Sequence, residues 1–377
     1  MPPLTVGYDA TAAVTQQAGI GRYARELLRA LGHLPECFRY KVVFESRGAN
    51  VPLPQLGDQF SVYPIPASDR LMNAVWHRAR LPIPIEVRTG RIDVFHSPDF
   101  SMAPSIAPSL VTVHDLAFEA VPQLSYPSLA RYLHRVVPRG VRRARAVIVP
   151  SSHTKAEMLA RLGTDEGKVH VIPEGVSGVF RPDSPADDAA VLQRRGITRP
   201  YIFTHSTLEP RKNVDRLLEA ISRLQTSEFP HVLLLAGRLG WLYEPIFETH
   251  ARLELGDRAR FLTDCSDQEL AALLRQADLA VYPSLYEGFG LPVLEALACG
   301  APTVCSGNTS FPEIAGTAAD LFDPWDVDDI AAVMRAVLED GDRQAALRRQ
   351  GPVQARTFTW ERCARATVEV YNAVGQG

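Results

Sequence analysis

The 377-residue chain is longer than a single hydrophobic core usually supports, so the sequence predicts two domains. Apolar residues make up 46% and charged residues 22%, which is ordinary for a globular protein in water. A net charge of -3 gives no reason to expect nucleic acid as a partner.

The five cysteines include no Cys-x-x-Cys pair and are odd in number, which argues against a disulfide framework and a structural zinc site. The start of the chain lacks the basic residues and apolar run of a signal peptide. No apolar run approaches the ~18 residues that a membrane-spanning helix needs. We therefore expect a cytoplasmic protein, for which attachment to a membrane surface stays open.

The first half of the chain alternates short apolar runs with helical patterns, which predicts an α/β domain with a parallel sheet. A strand at 4–9 leads into a loop ending Gly19-Ile-Gly21-Arg22 and a helix at 22–31. This is the phosphate-binding order of doubly wound folds, although the full Gly-x-Gly-x-x-Gly fingerprint is absent. The alternative is a glycine-assisted turn without a ligand. Further strands are predicted at 40–44, 60–65, 92–96, 110–113, 146–149 and 169–172.

Two of these strands end in polar residues, in the segments His96-Ser-Pro-Asp99 and Val113-His114-Asp115. The ligand crevice of an open α/β sheet lies at the carboxyl ends of its strands, so these residues are candidates for a ligand site. His114 is the sharpest candidate because its titratable ring stands where a strand gives way to a loop. The alternative is a hydrogen-bonded structural histidine.

A basic helical stretch between Arg131 and Arg145 is interrupted by Pro138. A basic amphipathic helix can lie on an anionic membrane surface, and a solvated outer face is the alternative. The segment 174–186 is rich in Pro, Gly, Ser and Asp, which predicts an interdomain linker.

The second half repeats the α/β rhythm. Two successive doubly wound halves predict two Rossmann-like domains facing a cleft. The predicted strands are 201–205, 232–236, 260–262, 279–281 and 302–305. The predicted helices are 214–224, 245–255, 267–276, a helix opening at Pro292, 327–338, 343–357 and 360–374.

The segment from Tyr282 to Gly300 is the strongest candidate for a binding site. Its loop amides and the free N–H groups of the helix that Pro292 opens form a site suited to phosphate. Two carboxylates, Glu287 in the loop and Glu295 about 5 Å along the helix, frame that site. A ligand with phosphate in its middle and hydroxyl-rich rings on both sides, a nucleotide-sugar, suits this arrangement.

Upstream, Arg211 and Lys212 stand beside a predicted helix start, where cations are unfavourable unless an anion is bound. The planar guanidinium of Arg211 and the point charge of Lys212 together suit a diphosphate. The alternative is that both residues are solvated surface cations. Asp326-Val-Asp328 is expected to cap a helix rather than to hold a metal ion. Asn308-Thr-Ser310 is a glycosylation triplet that a cytoplasmic chain would not use.

The Glu287-x7-Glu295 spacing inside Glu-Gly-Phe-Gly-Leu-Pro-Val-Leu-Glu, with Arg211-Lys212 upstream, resembles the retaining GT-B glycosyltransferases of family 4. The resemblance covers nearly the whole chain and includes the early glycines. The run from Thr207 to Asn213, with the His114 segment, is similar to a bacterial branch that often uses GDP-mannose or a GDP-deoxyhexose.

The resemblance implies roles for single residues. Glu287 would contact the donor hexose, Glu295 the ribose diol, and His114 the transferred sugar and the acceptor. Ser206 stands where many members carry an arginine, and Arg211 would take over that charge. The implied catalytic residues are His114, Glu287, Arg211 and Lys212. The implied donor-binding residues are Gly19, Gly21, Ser206, Arg211, Lys212, Glu287, Gly288, Phe289, Gly290, Leu291 and Glu295. The implied acceptor-side residues are His96, Asp99 and Asp115.

The resemblance also implies an acceptor-binding domain at 1–178, a nucleotide-sugar-binding domain at 179–358, and a last helix at 359–377 crossing back to the first domain. The implied reaction moves a hexose, with retained configuration, from a nucleoside diphosphate-sugar to a saccharide or lipid-linked acceptor. No metal ion or other cofactor is expected. A GT-B-shaped epimerase or phosphorylase and a non-catalytic nucleotide-sugar-binding protein are the alternatives.

Overall fold

The computed structural model describes residues 3–17, 19–35, 38–183, 188–198, 200–224 and 229–376. The chain divides into two compact units. The first comprises Met1–Ala120, Ser128–Gly175 and Trp360–Gly377, and the second comprises Val121–Pro127 and Val176–Thr359. The main division after Gly175 falls inside the predicted linker, of which residues 184–186 lie outside the described residues. The predicted boundaries at 178 and 358 stay predictions.

The first unit contains a parallel sheet of seven strands in the order β3-β2-β1-β4-β5-β6-β7. Strand order reverses at the neighbouring β1 and β4, as in a doubly wound sheet, so their carboxyl ends flank a crevice. The strands are β1 (Leu4–Asp9), β2 (Phe38–Glu45), β3 (Phe60–Ile65), β4 (Val94–Ser97), β5 (Ser109–Thr112), β6 (Ala146–Val149) and β7 (Val169–Val171).

Helices lie between these strands, as predicted for parallel pairing. The second helix begins at Gly19, earlier than predicted, and buries Leu27, Leu28 and Leu31 in the core that Val6 shares. Each such leucine contributes roughly 1.5–3 kcal/mol by leaving water. The helices are α1 (Thr11–Thr15), α2 (Gly19–Gly32), α3 (Asp69–Asn73) with a π-helical turn at Ala74–Arg78, α4 (Glu86–Thr89), α5 (Ala117–Ala120), α6 (Pro127–Arg143) and α7 (Ser152–Leu162).

The basic helix α6 is not interrupted at Pro138, which corrects the sequence-based expectation. Proline removes one helical hydrogen bond and crowds the preceding turn. On both sides of Pro138 the helix buries an apolar stripe that includes Leu133, Val137 and Val141. This packing keeps the helix continuous, because most helical stability in proteins comes from a buried face.

The second unit contains six parallel strands in the order β10-β9-β8-β11-β12-β13, and the two sheets confirm the predicted pair of doubly wound α/β domains. Its strands are β8 (Tyr201–His205), β9 (Val232–Ala236), β10 (Ala259–Leu262), β11 (Leu279–Tyr282), β12 (Thr303–Ser306) and β13 (Asp320–Phe322). Its helices are α8 (Asp188–Arg194), α9 (Val214–Leu224), α10 (Glu244–Arg252), α11 (Asp267–Gln276), α12 (Leu291–Cys299), α13 (Phe311–Ala315), α14 (Val327–Glu339) and α15 (Gly341–Ala355).

The last helix, α16 (Trp360–Gly375), belongs to the first unit. Its residues Val370, Tyr371 and Val374 are buried in the same core as α2. Among the described residues, no helix combines the length and the apolar composition that a membrane crossing requires.

Candidate functional site

Glu287 lies at the centre of a buried charge cluster in the second unit. Its Oε1 accepts hydrogen bonds from Lys212 Nζ at 2.5 Å and Ser284 Oγ at 2.8 Å, and its Oε2 accepts one from Arg211 Nη1 at 2.9 Å. Burial alone would raise the pKa of Glu287, but the charges of Lys212 and Arg211 outweigh burial and lower it to about 2. Glu287 is therefore ionised throughout the physiological pH range.

The guanidinium of Arg211 joins a second carboxylate to this cluster. Its Nη2 donates to Glu209 Oε1 at 2.8 Å, and its Nη1 donates to the Tyr286 carbonyl at 3.1 Å. Arg211 and Lys212 lie in a 3₁₀ turn, Pro210–Lys212, after β8, with side chains only 16% and 12% exposed. They are therefore not solvated surface cations. The positive charges of Arg211 and Lys212 are balanced by the carboxylates of Glu209 and Glu287 within a largely buried cluster.

Side chains from neighbouring segments hold the backbone of the loop between β11 and α12, which carries Glu287. Asn213 Nδ2 donates to the Pro283 carbonyl at 3.0 Å, and Asn308 Nδ2 donates to the Leu285 carbonyl at 3.0 Å. Ser310 Oγ lies 3.1 Å from the Glu287 carbonyl and also contacts the Phe289 carbonyl. The glycosylation triplet of the sequence is thus a brace for the loop, a role that its sequence pattern does not signal.

Gly290 ends the loop and precedes α12, which begins at Leu291 with Pro292 in its first turn. The φ of Gly290 is +127°, in the region that favours glycine, and a Cβ at this position would stand 2.7 Å from the Phe311 ring. The first N–H groups of α12 have no carbonyl partner within the helix. The roles of Gly288, Phe289, Gly290 and Leu291 toward a phosphate stay predictions.

Glu295 belongs to a separate chain of hydrogen bonds. Its Oε2 lies 2.7 Å from His205 Nε2, and His205 Nδ1 lies 2.9 Å from the Tyr282 hydroxyl. An ionised carboxylate only accepts, so Nε2 donates to Glu295, and in the neutral ring Nδ1 then accepts from the Tyr282 hydroxyl. Burial raises the pKa of Tyr282 well above its ordinary value, which keeps the hydroxyl protonated.

His205 and Tyr282 were missed as site residues, although the sequence carries a signal for them. They are the last residues of β8 and β11, which are adjacent parallel strands. Side chains at equivalent ends of paired strands lie side by side. Ser206 follows His205, and its backbone packs closely against Gly237. A Cβ added to Gly237 would stand only 1.8 Å from the Ser206 carbonyl oxygen. The role of Ser206 toward the donor stays a prediction.

His114 is buried in the first unit between two hydrogen-bond acceptors. Its Nε2 lies 2.9 Å from the Pro98 carbonyl and its Nδ1 3.4 Å from Glu174 Oε1. Burial lowers the pKa of His114, but the Glu174 hydrogen bond and charge, the Pro98 carbonyl and the Asp99 charge together raise it above the ordinary 6.5. Both ring nitrogens can donate only in the imidazolium, which this pair of acceptors favours.

Asp99 and Gln16 line a cavity of about 390 Å³ in the first unit. Asp99 accepts hydrogen bonds from Gln16 Nε2 at 3.2 Å and from the Phe100 N–H at 2.7 Å. Burial raises the pKa of Asp99 above its ordinary value. Asp115 instead accepts from the Ala117 N–H at 2.9 Å, at the start of α5, and is not among the residues that line this cavity.

His96 does not fit the predicted acceptor side, and the structure corrects that assignment. Its ring is fully buried, with Nδ1 2.7 Å from the Tyr371 hydroxyl and Nε2 2.9 Å from Thr112 Oγ1. Burial lowers the pKa of His96 to about 3, so the ring is neutral. The residue ties β4, β5 and α16 together, and it has no free nitrogen to offer a ligand.

The two early glycines differ. Gly19 is exposed at the start of α2, and a Cβ there would meet nothing within 4 Å. Gly21 is buried, and a Cβ there would lie 1.9 Å from the Gln16 carbonyl oxygen. The close approach of the chain after α1 therefore requires glycine at position 21. Whether either backbone amide meets a phosphate stays a prediction.

Asp326 caps α14, as predicted, by accepting from the N–H groups of Asp328 and Asp329 at 2.9 and 3.3 Å. Over the residues that the structure describes, no three His, Cys, Asp or Glu side chains converge as a metal-binding group. Each unit thus has its own group of candidate residues: the Glu287 cluster with the His205–Glu295 pair in the second unit, and the His114–Asp99 region in the first.

The sequence matches two family descriptions, Glycosyltransferase Family 4 over residues 18–177 and Glycosyl transferases group 1 over residues 192–354. The O-antigen chain mannosyltransferase B of Escherichia coli is 30% identical over 369 residues, which cover 94% of this chain and 95% of that protein. The chain belongs to family 4 of the glycosyltransferases. This confirms the family and the GT-B fold that the sequence motifs resemble.

This family 4 glycosyltransferase is also similar to a relative that matches part of the chain and to solved structures that share its fold. The MMP alpha-(1->4)-mannosyltransferase of Mycolicibacterium hassiacum is 34% identical over 245 residues, covering 62% of this chain and 55% of that one. Sucrose-phosphate synthase from Thermosynechococcus elongatus has a TM-score of 0.77 at 19% identity, covering 98% and 99% of the two chains. Anabaena Alr3699/HepE in complex with UDP and glucose has a TM-score of 0.74 at 17% identity, covering 98% and 99%.

Proposed function

We propose that this glycosyltransferase moves a hexose, mannose or a related deoxyhexose, from a GDP-linked donor to a saccharide or lipid-linked acceptor with retained anomeric configuration. The product would be a surface polysaccharide or glycoconjugate. The observation that carries the proposal is the buried Arg211–Glu287–Lys212 cluster next to the start of α12. The named mannosyltransferases among its relatives support the choice of sugar.

In the proposed reaction the bond between the sugar C1 and the donor phosphate oxygen breaks, and the nucleoside diphosphate leaves with the bonding electrons. Arg211 and Lys212 would stabilise the negative charge that develops on this leaving group, without a metal ion. Their positions are already fixed by Glu287 and Glu209, so little reorganisation is needed during the reaction.

The acceptor hydroxyl would attack the same face of the sugar that the phosphate leaves, through an oxocarbenium-like state. Its proton would pass to the departing phosphate oxygen. Glu287, ionised because its pKa is about 2, would accept hydrogen bonds from the hydroxyls of the donor hexose. Glu295 would accept a hydrogen bond from the ribose diol, since an ionised carboxylate has about four acceptor sites.

We assign the acceptor to the first unit, where the Asp99 cavity supplies a carboxylate and an amide for sugar hydroxyls. His114, with its raised pKa, would serve as a cationic group on that side. We propose a cytoplasmic place of action, at the inner face of the membrane when the acceptor is lipid-linked.

Donor identity is tested by thermal unfolding with a panel of nucleotide-sugars. A ligand at 100 times its dissociation constant stabilises the folded state by about 2.7 kcal/mol, which a melting curve resolves. We expect GDP-mannose or a GDP-deoxyhexose to raise the melting temperature most. A larger rise with UDP-sugars than with GDP-sugars contradicts the assigned donor.

The reaction type is tested by measuring the release of nucleoside diphosphate. Release that requires added acceptor supports transfer. Conversion of the donor into another nucleotide-sugar, with no acceptor and no net release, indicates an epimerase, and a requirement for inorganic phosphate indicates a phosphorylase. Lys212→Ala should reduce turnover by roughly a hundredfold or more because it removes a charge at the leaving group. Lys155→Ala is the matched control, since it removes a lysine charge that forms a surface ion pair with Glu166, away from the Glu287 cluster.

A further inference from the structure

The first unit concentrates positive charge between the 69–78 segment and α6. Among the side chains that the structure describes, no carboxylate forms an ion pair with these seven arginines: Arg70, Arg78, Arg80, Arg135, Arg139, Arg142 and Arg143. The chain has 43 acidic against 40 basic residues, so composition alone does not explain an arginine cluster without partners.

These arginines line two cavities rather than a flat face. The first cavity, of about 740 Å³, has Arg70, Arg78 and Arg135 in its wall. The second, of about 320 Å³, has Arg80 and Arg139 in its wall, together with Arg142 and Arg143. We call the two cavities the arginine groove. Concave walls of one charge concentrate the field and raise the local concentration of an anion.

The charges of the groove act on one another. Burial, followed by the charges of Arg143 and Arg139, lowers the pKa of His77. Desolvation, followed by the charge of Arg80, lowers the pKa of Arg139. In both residues the charges of neighbouring arginines add to the effect of desolvation, so cations oppose one another here. An anion bound in the groove would relieve that repulsion.

The arginine groove is next to the Asp99 cavity to which we assign the acceptor sugar. Four residues line both the first groove cavity and the Asp99 cavity: Asn73, His77, Leu129 and Tyr132. The Tyr132 hydroxyl donates to Asn73 Oδ1 at 2.5 Å, which ties α6 to α3 at this shared wall. The two cavities therefore lie side by side, as a single elongated ligand that occupied both would require.

Apolar side chains are exposed close to the arginines. Leu81 lines the second groove cavity and Leu129 the first, and they are 49% and 42% exposed. Leu71, next to Arg70 in the chain, is 52% exposed. Exposed leucines beside unpartnered arginines suit a ligand that carries an alkyl chain next to its anionic group.

We propose that the arginine groove binds the phosphate ester of the acceptor, which is a saccharide joined through a phosphate or diphosphate to an alkyl chain. The proposal rests on the proposed glycosyl transfer and names the acceptor class for it. The sugar lies at Asp99, the phosphate meets the guanidinium groups, and the chain follows the leucines. Arginine suits this task because its planar fork donates two parallel hydrogen bonds to phosphate oxygens.

A binding experiment with the full chain tests the groove. The probes are decyl diphosphate, inorganic diphosphate and vesicles of phosphatidylglycerol that contain no diphosphate lipid. The variants are the double Arg78→Gln/Arg135→Gln and the control Arg145→Gln. Arg145 is an exposed arginine of the same basic stretch and lies outside both cavities. Far-ultraviolet circular dichroism and melting temperature establish that each variant is folded.

We expect the wild type to bind decyl diphosphate and the double variant to lose roughly tenfold or more in affinity, since two charge-assisted contacts are removed. Arg145→Gln should stay within about twofold. Binding to Arg211 and Lys212 is the same in every variant, so the change between variants is assigned to the groove. Equal loss for inorganic and decyl diphosphate identifies the phosphate as the recognised group, and loss for decyl diphosphate alone shows that the alkyl chain is required.

Three outcomes overturn the proposal. The wild type does not bind either diphosphate, the double variant binds as well as the wild type, or the two variants lose affinity equally. Vesicle binding that falls equally in both variants, with diphosphate binding unchanged, assigns the arginines to a membrane surface instead. The assay uses neither donor nor transfer, so its failure leaves the proposed glycosyl transfer standing, and failure of the donor panel leaves the groove standing.

Discussion

His205 Nε2 lies 2.7 Å from Glu295 Oε2, so the carboxylate assigned to the donor ribose is already hydrogen-bonded within the protein. Both residues are nearly inaccessible to solvent, and Tyr282 fixes the other nitrogen of the ring. The orientation of Glu295 is therefore set by residues at the ends of β8 and β11. His205 is a positioning residue in this arrangement.

Replacing His205 tests that role. His205→Ala should raise the KM for donor by roughly tenfold, because Glu295 loses one charge-assisted hydrogen bond, while kcat changes less. His205→Gln, whose amide can donate, should recover part of the loss. Initial rates against donor concentration give both constants. A fall in kcat with an unchanged KM would show that His205 acts otherwise.

The Glu287 cluster predicts a specific acid sensitivity. The pKa of Glu287 is about 2 in the folded chain against an ordinary 4.5, so its stabilisation is present above pH 4.5 and is lost as pH falls toward 2. Between pH 6 and pH 3 this loss amounts to about 2 kcal/mol. Glu287→Gln should lack this contribution, which denaturant unfolding at the two pH values measures. If the stability of the wild type and of Glu287→Gln depends equally on pH, the stabilising role of the Glu287 carboxylate is contradicted.

The raised pKa of His114 depends on Glu174. In the wild type the His114 ring should titrate above pH 6.5. The stability that the protonated ring gives the folded state is therefore fully present below pH 6.5 and is lost as pH rises through the folded pKa. Glu174→Gln removes the charge but keeps the burial, which lowers a histidine pKa, so we expect titration below the wild-type value. NMR titration of the His114 ring measures both. An unchanged pKa in the variant assigns the shift to Pro98 and Asp99.

Gly290 should not tolerate a side chain. Gly290→Ala combines an unfavourable φ of +127° with a Cβ 2.7 Å from the Phe311 ring, and we expect a loss of about 2 kcal/mol or more in the free energy of unfolding. Gly341→Ala is the control, because Gly341 opens α15 and a Cβ there meets nothing within 4 Å. Denaturant unfolding compares the two. Equal stability of both variants would contradict the strain at Gly290.

The sheet architecture was largely predictable, because strands buried on both faces appear as continuous apolar runs. The strand Tyr201–His205 and the helix Val214–Leu224 match their predicted limits. The three-residue strand Asp320–Phe322 was missed, since it is too short and too exposed to leave such a run. The continuity of α6 through Pro138 was missed for another reason: it depends on packing with distant residues.

The candidate site was predictable in its location and less so in its bonds. Strand ends in the sequence indicated Arg211, Lys212 and Glu287, and the structure brings these three together. The mutual neutralisation of the cluster depends on side-chain distances that no spacing in the sequence reveals. His96 shows the same limit. A polar residue at a strand end resembles a site residue in the sequence, even when its hydrogen bond is made within the protein by a residue far along the chain, here Tyr371.

The brace formed by Asn308 has a consequence for how the protein is produced. In a secretory expression host, the Asn308-Thr-Ser310 triplet is read before the chain folds, and a sugar would be attached to Asn308 Nδ2. That nitrogen donates to the Leu285 carbonyl in the folded protein, and Asn308 Oδ1 is buried. A chain glycosylated there could not form this hydrogen bond to the loop that carries Glu287, so material secreted from yeast or mammalian cells should be inactive unless position 308 is left unmodified.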